Sequence, residues 1–500
     1  MAAPPSLGST DILEVIEQPV QPELVVNSAL MTSQLAPPTT TSASTPPSSR
    51  TPPPPPAVSS SNIRDLARLS RIASRNSYAT VDERNAALES VKSSLLQNKD
   101  VILAANRVDL EREQKKGTCS KALMKRLVLD DAKFDSLVAG IDGVLSLPDP
   151  NGVVSMAREL EPGLELYRVS CPIGVLCVIF EARPDAAVQI ASLAIKSANS
   201  VILKGGSEAY ESNKVLVHVI REGLENAGTS VPVDAVQLVA TRQDIAELLQ
   251  LDEYIDLVIP RGSNALVKHI KANTKIPVMG HADGICSVYV DASADLLTAV
   301  NVSVDSKINY PAACNAAETL LIHRDCLDTL LPKIGMAMKA AGVTMHADAH
   351  CIPYLPMDCV VPAKEGDYRT EWLSMDISLK CVDSVEDAMR HVNEHGSGHT
   401  DCIVTEDGAT AEMYMQRIDS AGVYHNASTR FADGFRYGFG AEVGVSTNRI
   451  HARGPVGLEG LTTYKYRMYG SGQKCSDFGS GEEGKREYTH RDLTFKLPSK

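Results

Sequence analysis

Basic residues are in the minority in this chain, with 49 Lys and Arg against 62 Asp and Glu and a formal net charge of −13. That balance argues against sequence-independent binding to nucleic acid, which needs a basic face. No apolar run approaches the ~20 residues that cross a bilayer, so no segment reads as a membrane span. The eleven cysteines have no framework spacing, and neither a CxxC pair nor a Cys/His cluster appears along the chain. This fits a reducing compartment and gives no structural metal site. Internal repeats are also absent. What remains is an ordinary soluble composition, 43% hydrophobic and 22% charged, over 500 residues. Such a length holds about two to four domains with ample core.

Residues 1–61 stand apart. Between Pro37 and Pro56, nine of twenty residues are proline and nine are serine or threonine. A segment of that composition buries too little apolar surface to offset its chain entropy, so it reads as disordered. Its charges are Asp11, Glu14, Glu17 and Glu23 against one Arg50. Transit peptides are Arg-rich and acid-poor, and a secretory signal needs an early apolar core. Neither pattern is present, and cytoplasm is the expected compartment.

From Asn62 the apolar spacing is helical. Leu66, Leu69 and Ile72 share one face, and Leu88, Val91 and Leu95 repeat it after a capping box at Thr80–Glu83. "LPDPNG" (147–152) ends this region. Short apolar runs then alternate with amphipathic stretches: "GVLCVIF" (174–180), "SVILKGG" (200–206), "AVQLVA" (235–240) and "YIDLVIP" (254–260). That order predicts βαβ units on a doubly wound parallel sheet, whose strands are buried on both faces and so read as unbroken apolar runs. "LKGGSEA" (203–209), which contains Ser207, and "IPRGSNA" (259–265) sit at strand ends and open helices. Free N–H groups at such helix starts suit the phosphates of a nucleotide cofactor, although a Gly-Ser turn also serves as a plain cap. A second α/β region follows "VYVDASADL" (288–296).

That second region holds "NYPAACNAAETLL" (309–321). Cys314 is flanked there by Ala312, Ala313, Asn315, Ala316 and Ala317. A cysteine serving only as a buried hydrophobe tolerates bulkier neighbours, whereas small ones leave room for a molecule to approach the sulfur.

These blocks carry a family resemblance. "PIGVLCVIFEARPD", "VILKGGSEA", "IDLVIPRGSNALV", "GHADGICSVYVD", "PAACNAAETLL", "HTDCIVTED", "YHNASTRFADG" and "GFGAEVGVSTNRIHARGPVGLEGLTTYKY" resemble the γ-glutamyl phosphate reductases, a branch of the aldehyde dehydrogenase superfamily. The resemblance runs in order from about residue 62 to about residue 495. It implies an aldehyde dehydrogenase-like α/β fold. The cofactor-binding domain is expected at 62–148 and 170–284, the catalytic domain at 285–455, and a small oligomerisation arm at 149–169 and 456–490. It implies NADPH-dependent reduction of L-glutamyl 5-phosphate to glutamate 5-semialdehyde, the second step of proline biosynthesis, through a thioester on Cys314. The implied cofactor is NADP, inferred from the family because no distinct pocket for the 2′-phosphate is readable. A stand-alone homo-oligomer is expected, supplied by a separate glutamate 5-kinase.

Residue by residue, the resemblance places Lys204, Ser207, Gly262, Ser263 and Glu371 against the cofactor. Arg183 and Arg430 are the cationic candidates for a substrate bearing a carboxylate and a phosphate, with Asn426 and Ser428 adding hydrogen bonds. Two positions depart from hydrolytic aldehyde dehydrogenases. His281 stands where those enzymes carry a glutamate base for water, and its loss protects a thioester meant for reduction. Asp185 stands near the usual asparagine that steadies an oxyanion. An ionised Asp185 would repel that charge, so it either points away or leaves the task to the Cys314 N–H and another donor. Two rival readings are an enzyme oxidising another aldehyde, against which the missing glutamate counts, and a silent scaffold that keeps the fold.

Overall fold

The computed structural model describes residues 63–497, apart from positions 77, 78, 118, 120, 282, 480, 482 and 484. The expectation for residues 1–61 therefore lies outside the described residues. The helices Ile63–Asn76, Val81–Gln97, Lys99–Lys116 and Asp131–Ser146 come first. Thr80 and Glu83 form the predicted capping box, and Leu88, Val91 and Leu95 are buried. The first helix differs from expectation. Leu69 and Ile72 are exposed, while Ile63, Leu66, Ala67, Ser70 and Ala73 are buried. The small residues on that face let the helix approach the sheet closely, and bulky side chains there would hold it off.

Strands β1 (Val154–Glu161) and β2 (Leu164–Pro172) form a hairpin. The chain then enters a parallel sheet built from β3 (Val175–Phe180), β4 (Ser200–Lys204), β5 (Val236–Leu238) and β6 (Leu257–Arg261), in the order β5-β4-β3-β6. β3 is buried at every position. Leu176, Val178 and Phe180 face one apolar cluster, while Val175, Cys177 and Ile179 face another. Helices therefore cover both faces, as the unbroken apolar run requires.

A second, seven-stranded sheet contains β7 (Cys286–Val290), β8 (Ala317–His323), β9 (Thr344–Ala347), β10 (Val360–Pro362), β11 (Asp376–Val382), β12 (Thr400–Val404) and β13 (Gly422–His425). Its order is β10-β9-β11-β8-β7-β12-β13, and every pair is parallel. A short antiparallel pair, β14 (Gly444–Ser446) and β15 (Gly454–Val456), follows. Finally β16 (Thr462–Tyr469) pairs with β2 and β17 (Arg491–Asp492) with β1, completing a four-stranded antiparallel sheet. Among the described residues no helix is long and apolar enough to cross a membrane.

Candidate active site

Strand order reverses between β3 and β6, since successive strands grow outward from β3 on one side and β6 lies on the other. In open α/β sheets, ligands settle in the crevice at the carboxyl ends of the strands flanking that reversal. Here those ends are Phe180 and Arg261, paired in register and followed by the Glu181 N–H bond to the Arg261 carbonyl at 3.2 Å. Gly262 and Ser263 come next and open the helix Asn264–Ala272. The Ser263 N–H donates to the Glu181 carboxylate at 3.2 Å, so the turn already holds an anionic group. A Cβ on Gly262 would come within 2.8 Å of that carboxylate and of Leu266, so both side chains would have to shift to admit one. On the neighbouring strand, Lys204 is half-buried at the end of β4 and Ser207 is exposed. The Ser207 carbonyl accepts from Arg112 at 2.9 Å.

Cys314 lies just before β8, and the other groups around it precede neighbouring strands of the same sheet. Gly284 and His281 precede β7, His399 precedes β12, and Glu371 precedes β11. The N-terminal edge of the second sheet thus gathers residues that are far apart in sequence. A Cβ on Gly284 would meet the Cys314 carbonyl oxygen at 2.1 Å and its Cα at 2.6 Å, so only glycine allows this approach. The Gly284 N–H donates to Glu371 at 3.0 Å, and the Cys286 thiol donates to the Cys314 carbonyl at 3.3 Å. The segment bearing Glu371 is itself anchored. Trp372 donates its ring N–H to Ser378 at 3.1 Å and stacks on His346, and the Leu373 N–H donates to Glu318 at 3.1 Å. Glu318 forms a fully buried ion pair with Lys307 at 2.5 Å, and burial raises its carboxyl to about 7.

Burial pushes the Cys314 thiol up to about 12, aided by the carboxylates of Glu442 and Glu371 and opposed by the cations of Arg261 and Arg430. Left to itself, such a thiol stays protonated at neutral pH and needs a base to become a nucleophile. Two imidazoles are close. One ring nitrogen each of His281 and His399 and the Cys314 sulfur lie within 4.8 Å of one another. The rings are perpendicular with centroids 5.0 Å apart. Burial keeps both uncharged, holding His281 below its usual value and His399 at about 3. A neutral imidazole has a lone pair with which to take a proton. No Cys/His cluster is readable along the chain, yet folding makes one in space.

Arg183 donates to Asp185 at 3.0 Å. The pair offsets the charge of Asp185 and engages part of the Arg183 guanidinium. Arg430 is buried, and its Nε donates to the Asn309 carbonyl. Asn426 takes a left-handed backbone, φ 53°, and its amide both accepts from and donates to the main chain of Thr405 at 3.0 Å. Ser428 accepts from Ser306 at 3.2 Å and from the Arg430 N–H at 3.3 Å. Asn426 therefore spends its amide on holding the loop, and Ser428 is engaged there as an acceptor.

Sequence reasoning missed Arg261, Glu442 and His399. Arg261 lies between two residues singled out for different reasons, Pro260 ending an apolar run and Gly262 opening a turn. Its guanidinium bonds the Glu442 carbonyl at 3.3 Å and lies 3.8 Å from the Glu442 carboxylate. The available signal for His399 is a histidine opening the apolar strand "HTDCIV".

Comparison with known proteins places these features in context. The aldehyde dehydrogenase family model matches residues 151–352. A probable γ-glutamyl phosphate reductase of Schizosaccharomyces pombe is 50% identical over 423 residues, covering 83% of this chain and 93% of that protein. The γ-glutamyl phosphate reductase of a Picosynechococcus species is 50% identical over 435 residues, covering 87% of this chain and all of that one. The crystal structure of γ-glutamyl phosphate reductase from Thermotoga maritima superposes with a TM-score of 0.80 at 39% identity, over 82% of this chain and 99% of that one.

Proposed function

Because this chain belongs to the γ-glutamyl phosphate reductases within the aldehyde dehydrogenase superfamily, we propose that it reduces L-glutamyl 5-phosphate to glutamate 5-semialdehyde with Cys314 as nucleophile. The observation carrying this reading is the meeting of Cys314 with two neutral imidazoles at the strand edge, beside the buried Arg430 and the half-buried Arg261.

The Cys314 thiol gives its proton to His281, whose imidazole keeps more of its basicity than that of His399, as the sulfur attacks the acyl carbon. The bond from that carbon to the phosphate oxygen breaks, phosphate leaves, and the acyl group remains on Cys314 as a thioester. A nicotinamide dinucleotide supplies the hydride that reduces this thioester when bound. The sulfur then leaves from the resulting thiohemiacetal, the aldehyde forms, and the thiol recovers its proton. Gly284, pressed against the cysteine backbone and tied to Glu371, keeps the sulfur in place throughout.

The residues fit such a cofactor. The Ser263 N–H at the start of the helix Asn264–Ala272, now bonded to the Glu181 carboxylate, supports the reading, and a cofactor phosphate would displace that carboxylate. Lys204, Ser207, Gly262 and Ser263 would hold its adenosine and phosphate portions, and Glu371 its nicotinamide ribose. NADP is the cofactor proposed, by family. The cations of Arg261, Arg183 and Arg430 would draw in the doubly anionic substrate locally, against the unfavourable field of the whole chain. We assign the sheet of β1, β2, β16 and β17 to pairing of subunits, glutamate 5-kinase activity to a separate protein, and the cytoplasm as the compartment.

The test is oxidation of glutamate 5-semialdehyde, assayed with NADP and NAD, with and without phosphate. Rapid, phosphate-dependent reduction of NADP supports the reading. Steady oxidation without phosphate contradicts it and favours a hydrolytic aldehyde dehydrogenase.

A further inference from the structure

We propose that His281, Cys314 and His399 together form a binding site for a thiophilic divalent cation, with Zn²⁺ the matching ion, and that its occupation blocks the sulfur. The three donor atoms already lie within 4.8 Å of one another. A tetrahedral zinc with one sulfur and two nitrogen ligands, at about 2.3 Å and 2.0–2.1 Å, needs donors roughly 3.5 Å apart. The set must therefore close by about 1 Å, within reach of side-chain rotation.

A second observation points to a ligand. His399 is fully buried, and its Nε2 has no hydrogen-bond partner, a costly state for a polar atom. The Nδ1 of His281 is likewise buried without a partner. The remaining nitrogen of His399, Nδ1, bonds the Thr400 hydroxyl at 2.9 Å, the kind of outer contact that orients a ligating imidazole. The two rings stand perpendicular, with centroids 5.0 Å apart, beside the sulfur. Imidazole and thiolate are the donors a borderline-soft cation selects over Mg²⁺ or Ca²⁺. Arg261 and Arg430 oppose a further cation here, and Glu371 and Glu442 offset them.

Binding breaks the S–H bond of Cys314, forms a metal–sulfur bond, and releases one proton to solvent. Metal binding rests on geometry alone. Inhibition by the metal rests in addition on Cys314 being the nucleophile.

Co²⁺ serves as the probe, titrated into the full-length protein in the absence of substrate. We expect one equivalent to bind with a thiolate-to-cobalt charge-transfer band, tetrahedral visible bands, and release of one proton. Zn²⁺ should displace the cobalt and protect Cys314 from alkylation. Cys314→Ser should abolish the charge-transfer band. His399→Gln and His281→Gln, each checked for a cooperative melt, should weaken binding by about tenfold or more, since losing a ligand costs at least as much as losing an outer-shell partner. No charge-transfer band at saturating Co²⁺, or a band of unchanged affinity in whichever histidine variant folds, overturns the site. A band that depends on Cys314 in an enzyme that keeps full activity when loaded would retain the metal site and reject Cys314 as nucleophile.

Discussion

Gly284 packs so tightly on Cys314 that a Cβ there would lie 2.1 Å from the cysteine carbonyl oxygen. The same glycine gives its N–H to Glu371. Through Leu373 and Glu318, the segment bearing Glu371 is tied to the buried Lys307. Cys314 thus rests on a glycine contact that no other residue can make. Gly284→Ala should displace the Cys314 backbone and lower kcat by about a hundredfold, the cost of a misplacement near 1 Å. A melting curve should show the protein still folded. Near-normal turnover in this variant would show that the contact does not position the sulfur.

The thiol of Cys314 should be sluggish toward simple alkylation at neutral pH. With the thiol raised to about 12, the thiolate fraction grows about tenfold per pH unit well beyond neutrality. Peptide mapping after iodoacetamide treatment should show Cys314 labelling climb continuously from about pH 7 to pH 10. Removing the Glu442 charge, as in Glu442→Gln, should speed labelling at a given pH, because that carboxylate holds the thiol up. A labelling rate already at its plateau near pH 7 would mean the thiolate is stabilised before substrate arrives.

His399 should make the protein acid-sensitive. In the unfolded chain its imidazole takes a proton near pH 6.5, whereas burial keeps it neutral in the fold until about pH 3. Between those values the unfolded state binds more protons, so acid favours unfolding. The contribution is intact above pH 6.5 and is lost progressively as pH falls toward 3, on the order of a few kcal/mol in total. His391, also held at about 3, adds to the trend. Denaturant melts at about pH 7 and pH 5 should show a smaller loss for His399→Gln than for the parent chain. Equal losses would contradict the assignment.

Lys204 ends β4 at the edge of the proposed cofactor crevice. If Lys204 grips the cofactor as proposed, its replacement by alanine should raise the cofactor KM roughly tenfold to a hundredfold. Labelling of Cys314 should not change. An unaltered KM would return Lys204 to the role of an ordinary lysine at a strand end.

The parallel sheets were legible in the sequence because a strand such as β3, buried on both faces, must be apolar throughout. The turn at Gly262 and Ser263 was legible because glycine lets the chain turn sharply off a strand and serine is a favoured residue at a helix start. The exposed face of the first helix was not. Alanine and serine carried its packing face, and hydrophobic periodicity gives weight to leucine and isoleucine. The Cys/His cluster was invisible for a different reason. His281, Cys314 and His399 are brought together by the order of β7, β8 and β12, and no local spacing encodes that order. Asn426 and Ser428 were recognisable as loop residues, but only the fold revealed that Thr405 and Ser306 had claimed their polar groups.

The central claim is that Cys314 carries the acyl group covalently and that phosphate, not water, releases it in the oxidative direction. The direct measurement mixes the enzyme with glutamate 5-semialdehyde and NADP without phosphate, follows reduced cofactor in the first turnover, and weighs the intact protein by mass spectrometry. The expected result is a burst of about one equivalent per active site, then a stall, with a glutamyl adduct on Cys314. Added phosphate should discharge the adduct and restore turnover, and Cys314→Ser should give neither burst nor adduct. Steady turnover without phosphate, or a burst with the adduct on another residue, would contradict it.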